Sequence, residues 1–198
     1  MVKILLYFLA ILPTLAIADD YSTSNSNKVY LSANGSDISV TIDQNGSRNR
    51  VYGVDTTRAV IDGINNTVNI KQTGRNLIRL DQVGNNNTVI TDQVNVSSGY
   101  QNVQKISVTG NNVSVSAQQN TTGNNTHSLE MTVVGNGHNV AVDQRGGGEH
   151  RGTINLINAG GSSNITLTQI GNTNQTYNIQ QSCASLGGCS VSVSQGTQ

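Results

Sequence analysis

The sequence predicts an all-β chain, folded as a parallel β-solenoid with two strands per coil and about seven coils. Three observations carry that prediction. Aliphatic and polar residues alternate strictly over segments of about seven residues, the signature of half-buried strands. A four-residue turn of pattern x-Gly-x-x recurs between those segments. The composition, with 27 Asn, 15 Gln and 21 Gly in 198 residues and no Trp, suits stacked polar edges better than a conventional core. Lys plus Arg and Asp plus Glu each number 11, with no basic run, so the chain lacks the electrostatic footprint of a nucleic-acid binder.

From the N-terminus, Met1-Val2-Lys3 is a short basic start and residues 4–18 form an apolar stretch broken only by Pro13 and Thr14. Ala16-Ile17-Ala18 places small residues where a signal peptidase reads, so residues 1–18 are expected to be a secretory signal peptide. At 15 residues the apolar stretch is short of the roughly 20 needed to span a bilayer as a helix. Residues 19–37 read as a flexible N-terminal segment, 38–195 as the solenoid repeats and 196–198 as a tail.

Within the repeats the turns are centred on Gly46, Gly63, Gly84, Gly110, Gly135, Gly160 and Gly171. Glycine at a fixed turn position supplies a positive φ that other residues reach only at a cost. The turns are expected on one side of nearly every coil, with connections of varying length, such as 94–101, 120–126 and 145–151, on the other. Between them the alternate positions form inward sets. They run Ile38, Val40, Ile42, Gln44, then Asn66, Val68, Ile70, Gln72, then Asn76, Ile78, Leu80, Gln82, then Asn87, Val89, Thr91, Gln93. They continue through Val113 to Gln119, His138 to Gln144, Ser163 to Gln169 and Cys189 to Gln195. Segments 49–61 and 174–180 fit this register least well.

If equivalent strands stack at roughly 4.8 Å, inward amides fall directly above one another. The candidate functional residues are therefore a structural ladder of Gln44, Gln72, Gln82, Asn87, Gln93, Gln119, Gln144, Ser163, Gln169, Asn174, Gln180 and Gln195. Each ladder bond nets only ~0.5–1.5 kcal/mol, but an unpaired buried amide costs more, so the ladder penalises register slips. Cys183 and Cys189 flank a Gly-containing loop, and in an oxidising compartment they predict a local disulfide.

These residues resemble the curlin repeat, the unit of the curli amyloid fibre. Ser163-x5-Gln169-x-Gly171-x2-Asn174-x5-Gln180 matches all five signature positions, and Asn76-x5-Gln82-x-Gly84-x2-Asn87-x5-Gln93 matches with Asn in the leading place. Ile38-x5-Gln44-x-Gly46-x2-Asn49 matches in its middle three, and weaker copies carry an aliphatic at Ile61, Val108 and Val133. The resemblance implies self-association into fibres, export through a curli-type outer-membrane secretion pore after passage through a Gram-negative-type periplasm, and a nucleator subunit as partner. It also implies an extracellular, cell-surface fibre serving biofilm matrix and adhesion.

No catalytic or cofactor motif stands against a structural role. His127, His138 and His150 fall in different coils without metal-ligand spacing, and no Walker loop, nucleophile elbow or HExxH occurs. No enzyme activity, metal or cofactor is expected. Asp43, Asp81, Asp92 and Asp143 read as solvated outer-face residues. The alternative reading is a monomeric secreted β-solenoid acting as an adhesin or carbohydrate-binding module.

Overall fold

The computed structural model describes the backbone of Val2–Tyr7 and Leu15–Ala16 and residues 26–55, 57–97, 99–157, 161–182 and 188–196. Every element among them is a strand. In chain order these are β1 (Val2–Tyr7), β2 (Leu15–Ala16), β3 (Lys28–Val29), β4 (Leu31–Ser36), β5 (Ser39–Gln44) and β6 (Arg50–Tyr52). Then come β7 (Ala59–Ile64), β8 (Thr67–Gln72), β9 (Asn76–Val83), β10 (Thr88–Asn95), β11 (Asn102–Thr109) and β12 (Ser114–Thr121). The last six are β13 (Ser128–Val134), β14 (Asn139–Gly146), β15 (His150–Ile157), β16 (Ser163–Ile170), β17 (Gln175–Gln181) and β18 (Cys189–Gly196).

The chain winds alternately between two sheets. One runs β5-β8-β10-β12-β14-β16-β18, and the other β4-β7-β9-β11-β13-β15-β17, with β3 and β6 completing its first rungs. All pairs between these strands are parallel. The result is a β-solenoid of about 6 turns at about 25 residues each. The seven coils counted in the sequence correspond to the seven rungs of each sheet. Among the described residues only β1 and β2 pair antiparallel, lying along β5 and β4 at the N-terminal end.

Alternation explains the core. β9 buries Asn76, Ile78, Leu80 and Gln82 and turns the residues between them outward, and β10 does the same with Val89, Thr91 and Gln93. Stacking puts aliphatic on aliphatic in most rungs: Leu80 lies beside Ile106 and Val89 between Val68 and Val115, whereas Ile78 meets Gln104. The aliphatic residues of both sheets form one continuous cluster from Val29 to Ile179.

Three expectations are corrected. Residues 28–36 are not a flexible lead-in but the first rung, with Val29 and Leu31 buried and Asn34-Gly35-Ser36 stacked on Asp62-Gly63-Ile64; residues 19–25 lie outside the described residues. The glycine turns do not share one edge. Gly63, Gly84, Gly110 and Gly135 lead out of the β7 sheet, whereas Gly46 and Gly171 follow β5 and β16 at the opposite edge. An x-Gly-x-x corner closes either edge, so local sequence cannot tell them apart; Gly160 lies outside the described residues. Finally, β17 buries Gln175 and Ile179 and exposes Asn174 and Gln180. A one-residue slip exchanges the two faces of a strand.

The segment 49–61 reads irregularly because its rung is split. β6 lies over β9 at Leu77–Arg79 and β7 over its Asp81–Val83 end, with 53–55 and 57–58 in neither strand. Asp81 holds the loop: its Oδ2 accepts Val54 N–H and its Oδ1 accepts Val60 N–H, at 3.1 and 3.0 Å. Arg79 donates Nη1–H to Gly53 O from below. Asp81 is thus a structural clamp rather than a simply solvated charge. Its carboxyl titrates above the usual range because burial opposes ionisation more than the two N–H groups favour it.

Candidate functional site: amide ladders and the solenoid ends

The inward end of each rung in the β5 sheet carries glutamine: Gln44, Gln72, Gln93, Gln119, Gln144 and Gln169, all at most 1% exposed, and then Gln195 in β18. Nε2 of Gln93 donates to Oε1 of Gln119, Gln119 to Gln144, and Gln144 to Gln169, each at 2.7 Å and 25 or 26 residues apart. The second amide hydrogen crosses the coil. Gln119 Nε2 also reaches Val103 O and Gln144 Nε2 reaches Ser128 O, both at 3.3 Å, tying the corner to the facing sheet. The side chain thereby fixes both the stacking step and the closure of its own coil.

The ladder reverses near its N-terminal end. Gln72 donates to Gln44 at 2.9 Å, so Gln72 Oε1 and Gln93 Oε1 meet without a donor. At the ends, Gln44 leaves Nε2 without a partner and Gln195 leaves Oε1 without one.

Two further columns line the edges. Where the β7 sheet leads into the β5 sheet, Asn87 N–H donates to Asn66 Oδ1 and Val113 N–H to Asn87 Oδ1. The Asn66 and Asn87 amides donate to Gly84 O and Gly110 O, each at 2.7 Å. The column then passes through His138 to Ser163. At the opposite edge Asn49, Asn76, Asn102, His127, His150 and Gln175 follow one another. Asn76 donates both N–H and Nδ2–H to Asn49 Oδ1, and His127 N–H donates to Asn102 Oδ1. Asn49, Asn102, His150 and Gln175 were not assigned to a ladder from the sequence; their signal is a polar residue at, or just before, the first position of each strand of the β7 sheet.

The histidines stand in these columns where other rungs carry asparagine. His127 and His150 are fully buried with ring centroids 4.6 Å apart, and their Nε2 atoms lie against Gly148 O and Arg145 O. Burial, and then the neighbouring His150 ring, hold His127 down to about 4. His138, bonded through Nε2 to Val134 O, is also lowered by burial. Among the described residues no three metal-binding side chains cluster.

The predicted ladder thus divides. Gln44, Gln72, Gln93, Gln119, Gln144, Gln169 and Gln195 share one column, and Asn87 and Ser163 share another. Gln82 stands alone, between Ile61 and Val108, donating instead to Asn87 O at 2.9 Å. Asn174 and Gln180 are outside the core. Gly84 and its counterparts form a backbone stack so close that a Cβ on Gly84 would lie 1.8 Å from Gly110 O. Cys189 is disulfide-bonded; Cys183, the other cysteine of the sequence, lies outside the described residues.

The two ends differ. At the N-terminal end β1 and β2 lie along the first rungs. At the C-terminal end Val191, Val193 and Gln195 of β18 are only half-buried, and among the described residues no strand covers β18 or β17. No family model, curated protein or solved structure matches this chain.

Proposed function

We propose that the chain is an exported structural subunit that associates with itself, end to end, into a curli-like extracellular amyloid fibre serving biofilm matrix and adhesion. Removal of residues 1–18 bares β5 and β4, and the bared rungs of one copy then stack on β18 and β17 of the next. The observation that carries this reading is the complementarity of the two ends. Gln44 Nε2 and Gln195 Oε1 are buried atoms without a partner, a donor in the first rung and an acceptor in the last. Extending the parallel register sets Gln195 beside Gln44, Val193 beside Ile42 and Val191 beside Val40. Both bare edges present ladder groups that water alone satisfies in the monomer, the template for strand addition. The curlin-like repeats support the same reading and add an outer-membrane pore and a nucleator as partners.

The test uses the chain lacking residues 1–18, elongating preformed seeds. Fibres should diffract near 4.8 Å. Val193→Lys changes a half-exposed site in the monomer but buries an unpaired ammonium in the fibre. It should leave the monomer's unfolding midpoint nearly unchanged and slow elongation at least tenfold. Elongation at the wild-type rate, with the variant folded, would refute end-to-end stacking.

A further inference from the structure

One cleft lies apart from the ladders. It has a volume of about 380 Å³ and opens at the edge where the β5 sheet leads into the β7 sheet, lined by Arg48, Arg75, Ser47, Ser97, Gly46 and Gly74 among others. No lining residue is acidic. The two arginines are brought together by the core. Asn76 N–H donates to Asn49 Oδ1, which stacks these two positions on adjacent rungs. Arg48 and Arg75 each precede that stacked asparagine, so they project from equivalent points of neighbouring coils. Like charges placed directly opposite across a strand pair repel. The positions that follow in this column are Gln101, Thr126, Glu149 and Asn174, so the basic pair is confined to this cleft.

The backbone gives a second, independent observation. Among the described residues five non-glycines have positive φ: Asp37, Asn65, Asn86, Asn112 and Arg48, the last at 62°. The first four are residue types that tolerate the left-handed region, and arginine is not. Strain of this kind persists where surrounding structure over-determines it, and it concentrates at functional positions. Three exposed cations elsewhere pair with acids. Arg145 binds Asp143, Arg151 binds Glu149 and Lys105 binds Glu130. Arg75 instead donates Nη1–H to the neutral Gly99 carbonyl at 3.2 Å, leaving its charge uncompensated by that bond.

We infer that Arg48 and Arg75 form a binding site for a phosphate-type oxyanion, held between two guanidinium groups and the hydroxyls of Ser47 and Ser97. A guanidinium presents its N–H donors in a fork that matches oxyanion geometry, and two of them on one anion turn a repulsive pair into a clamp. The site is independent of fibre formation, since it sits on the side of the coil and not at either end.

The experiment titrates freshly desalted chain lacking residues 1–18 with inorganic phosphate by calorimetry, ionic strength being held constant with sodium chloride. Arg48→Gly removes the guanidinium while relieving the positive φ, so it should leave the unfolding midpoint unchanged or raised. It should nonetheless weaken phosphate binding at least tenfold, as should Arg75→Gln. Arg145→Gln, on the same edge but paired with Asp143, should bind as wild type. Short linear polyphosphate run in the same way separates the sources: tenfold tighter binding than inorganic phosphate marks a chain-borne anion, and equal binding a free one. The inference is overturned if neither probe gives saturable binding to wild type, or if Arg48→Gly binds as tightly as wild type.

Discussion

Replacing Gly84 by alanine tests the stacking of the turns directly. Gly84 has φ of 120°, and an added Cβ would sit 1.8 Å from Gly110 O and 2.7 Å from its carbon, where real contacts stay beyond 3.0 Å. The obstacle is backbone, which cannot rotate away, so the two turns must part by about 1 Å. Two backbone–backbone bonds cross this gap, Gly110 N–H to Val83 O at 3.0 Å and Asn112 N–H to Asn85 O at 2.9 Å, beside side-chain bonds from Asn87 Nδ2 to Gly110 O and from Asn85 N–H to Asn111 Oδ1. Losing the two backbone bonds costs about 1–3 kcal/mol. The disallowed φ adds about 1–3 kcal/mol. A total near 4 kcal/mol is a large share of the ~5–15 kcal/mol that holds an ordinary domain together. Gly99 is the control, because an added Cβ there meets nothing within 4 Å. Urea unfolding of the freshly desalted monomer, followed by circular dichroism, should show the Gly84→Ala midpoint lowered by about 2 M, given a slope near 2 kcal/mol per M. The Gly99→Ala midpoint should stay with wild type. Equal midpoints for the two variants would refute the argument that interlocked turn backbones, rather than side chains alone, set the coil spacing.

Gln119→Leu should destabilise the monomer by about 2–4 kcal/mol, because it orphans Gln93 Nε2 below and Gln144 Oε1 above, whereas Gln118→Leu on the outer face should change it by less than about 0.5 kcal/mol; the same urea midpoints measure both. His127 makes the fold acid-sensitive. Its folded value of about 4 lies below the ordinary 6.5, so its contribution is fully present above pH 6.5 and is lost as pH falls through 4, a total on the order of 3 kcal/mol. His127→Asn, restoring the residue type found at Asn102 in the same column, should flatten the dependence of the midpoint between pH 6.5 and 4, and an unchanged slope would reject the assignment.

What the sequence exposed and what it hid follow from the range of each interaction. The inward sets from Ile38 to Gln44 and from Asn76 to Gln93 are legible because period-two alternation is local, and both are at most 4% exposed. The rung at 28–36 was obscured by its own turn, since Asn34-Gly35-Ser36 reads as a loop unless Gly63 is known to stack on it. Gln180 and Gln181 adjoin, so composition could not choose the inward one. Column membership was the hardest to read, because it depends on partners a full coil away. Gln72 meets Gln44 across 28 residues, but Gln144 meets Gln169 across 25. Gln82 fits the repeat signature perfectly and still finds Ile61 and Val108 above and below, so a motif match does not make a ladder. The pairing of His127 with His150 is invisible for the same reason: 23 positions separate them, and only the lengths of the intervening connections bring their rings together.

Unequal columns also bear on the polarity of any assembly. Were one glutamine column the sole recognition element, two C-terminal ends could meet as readily as a C-terminal and an N-terminal end. A meeting of two copies of β18 would be antiparallel, and centred on Ser192, the middle of the inward set, it would place Gln195 against Cys189, an amide against the disulfide-bonded end of the facing strand. Both Gln195 Oε1 atoms would stay unpaired, and each buried orphan costs about 1–3 kcal/mol. Head-to-tail stacking keeps every strand parallel and puts the unpaired Gln44 donor beside the unpaired Gln195 acceptor. A contact between two different surfaces does not close on itself but repeats, which is the geometry of a filament. The chain's own alternation continues across that junction. In such a stack β17 would meet the β3–β4 rung of the next copy and β18 its β5, so the order of sheets would run on unbroken and each subunit would add about 6 turns to the core.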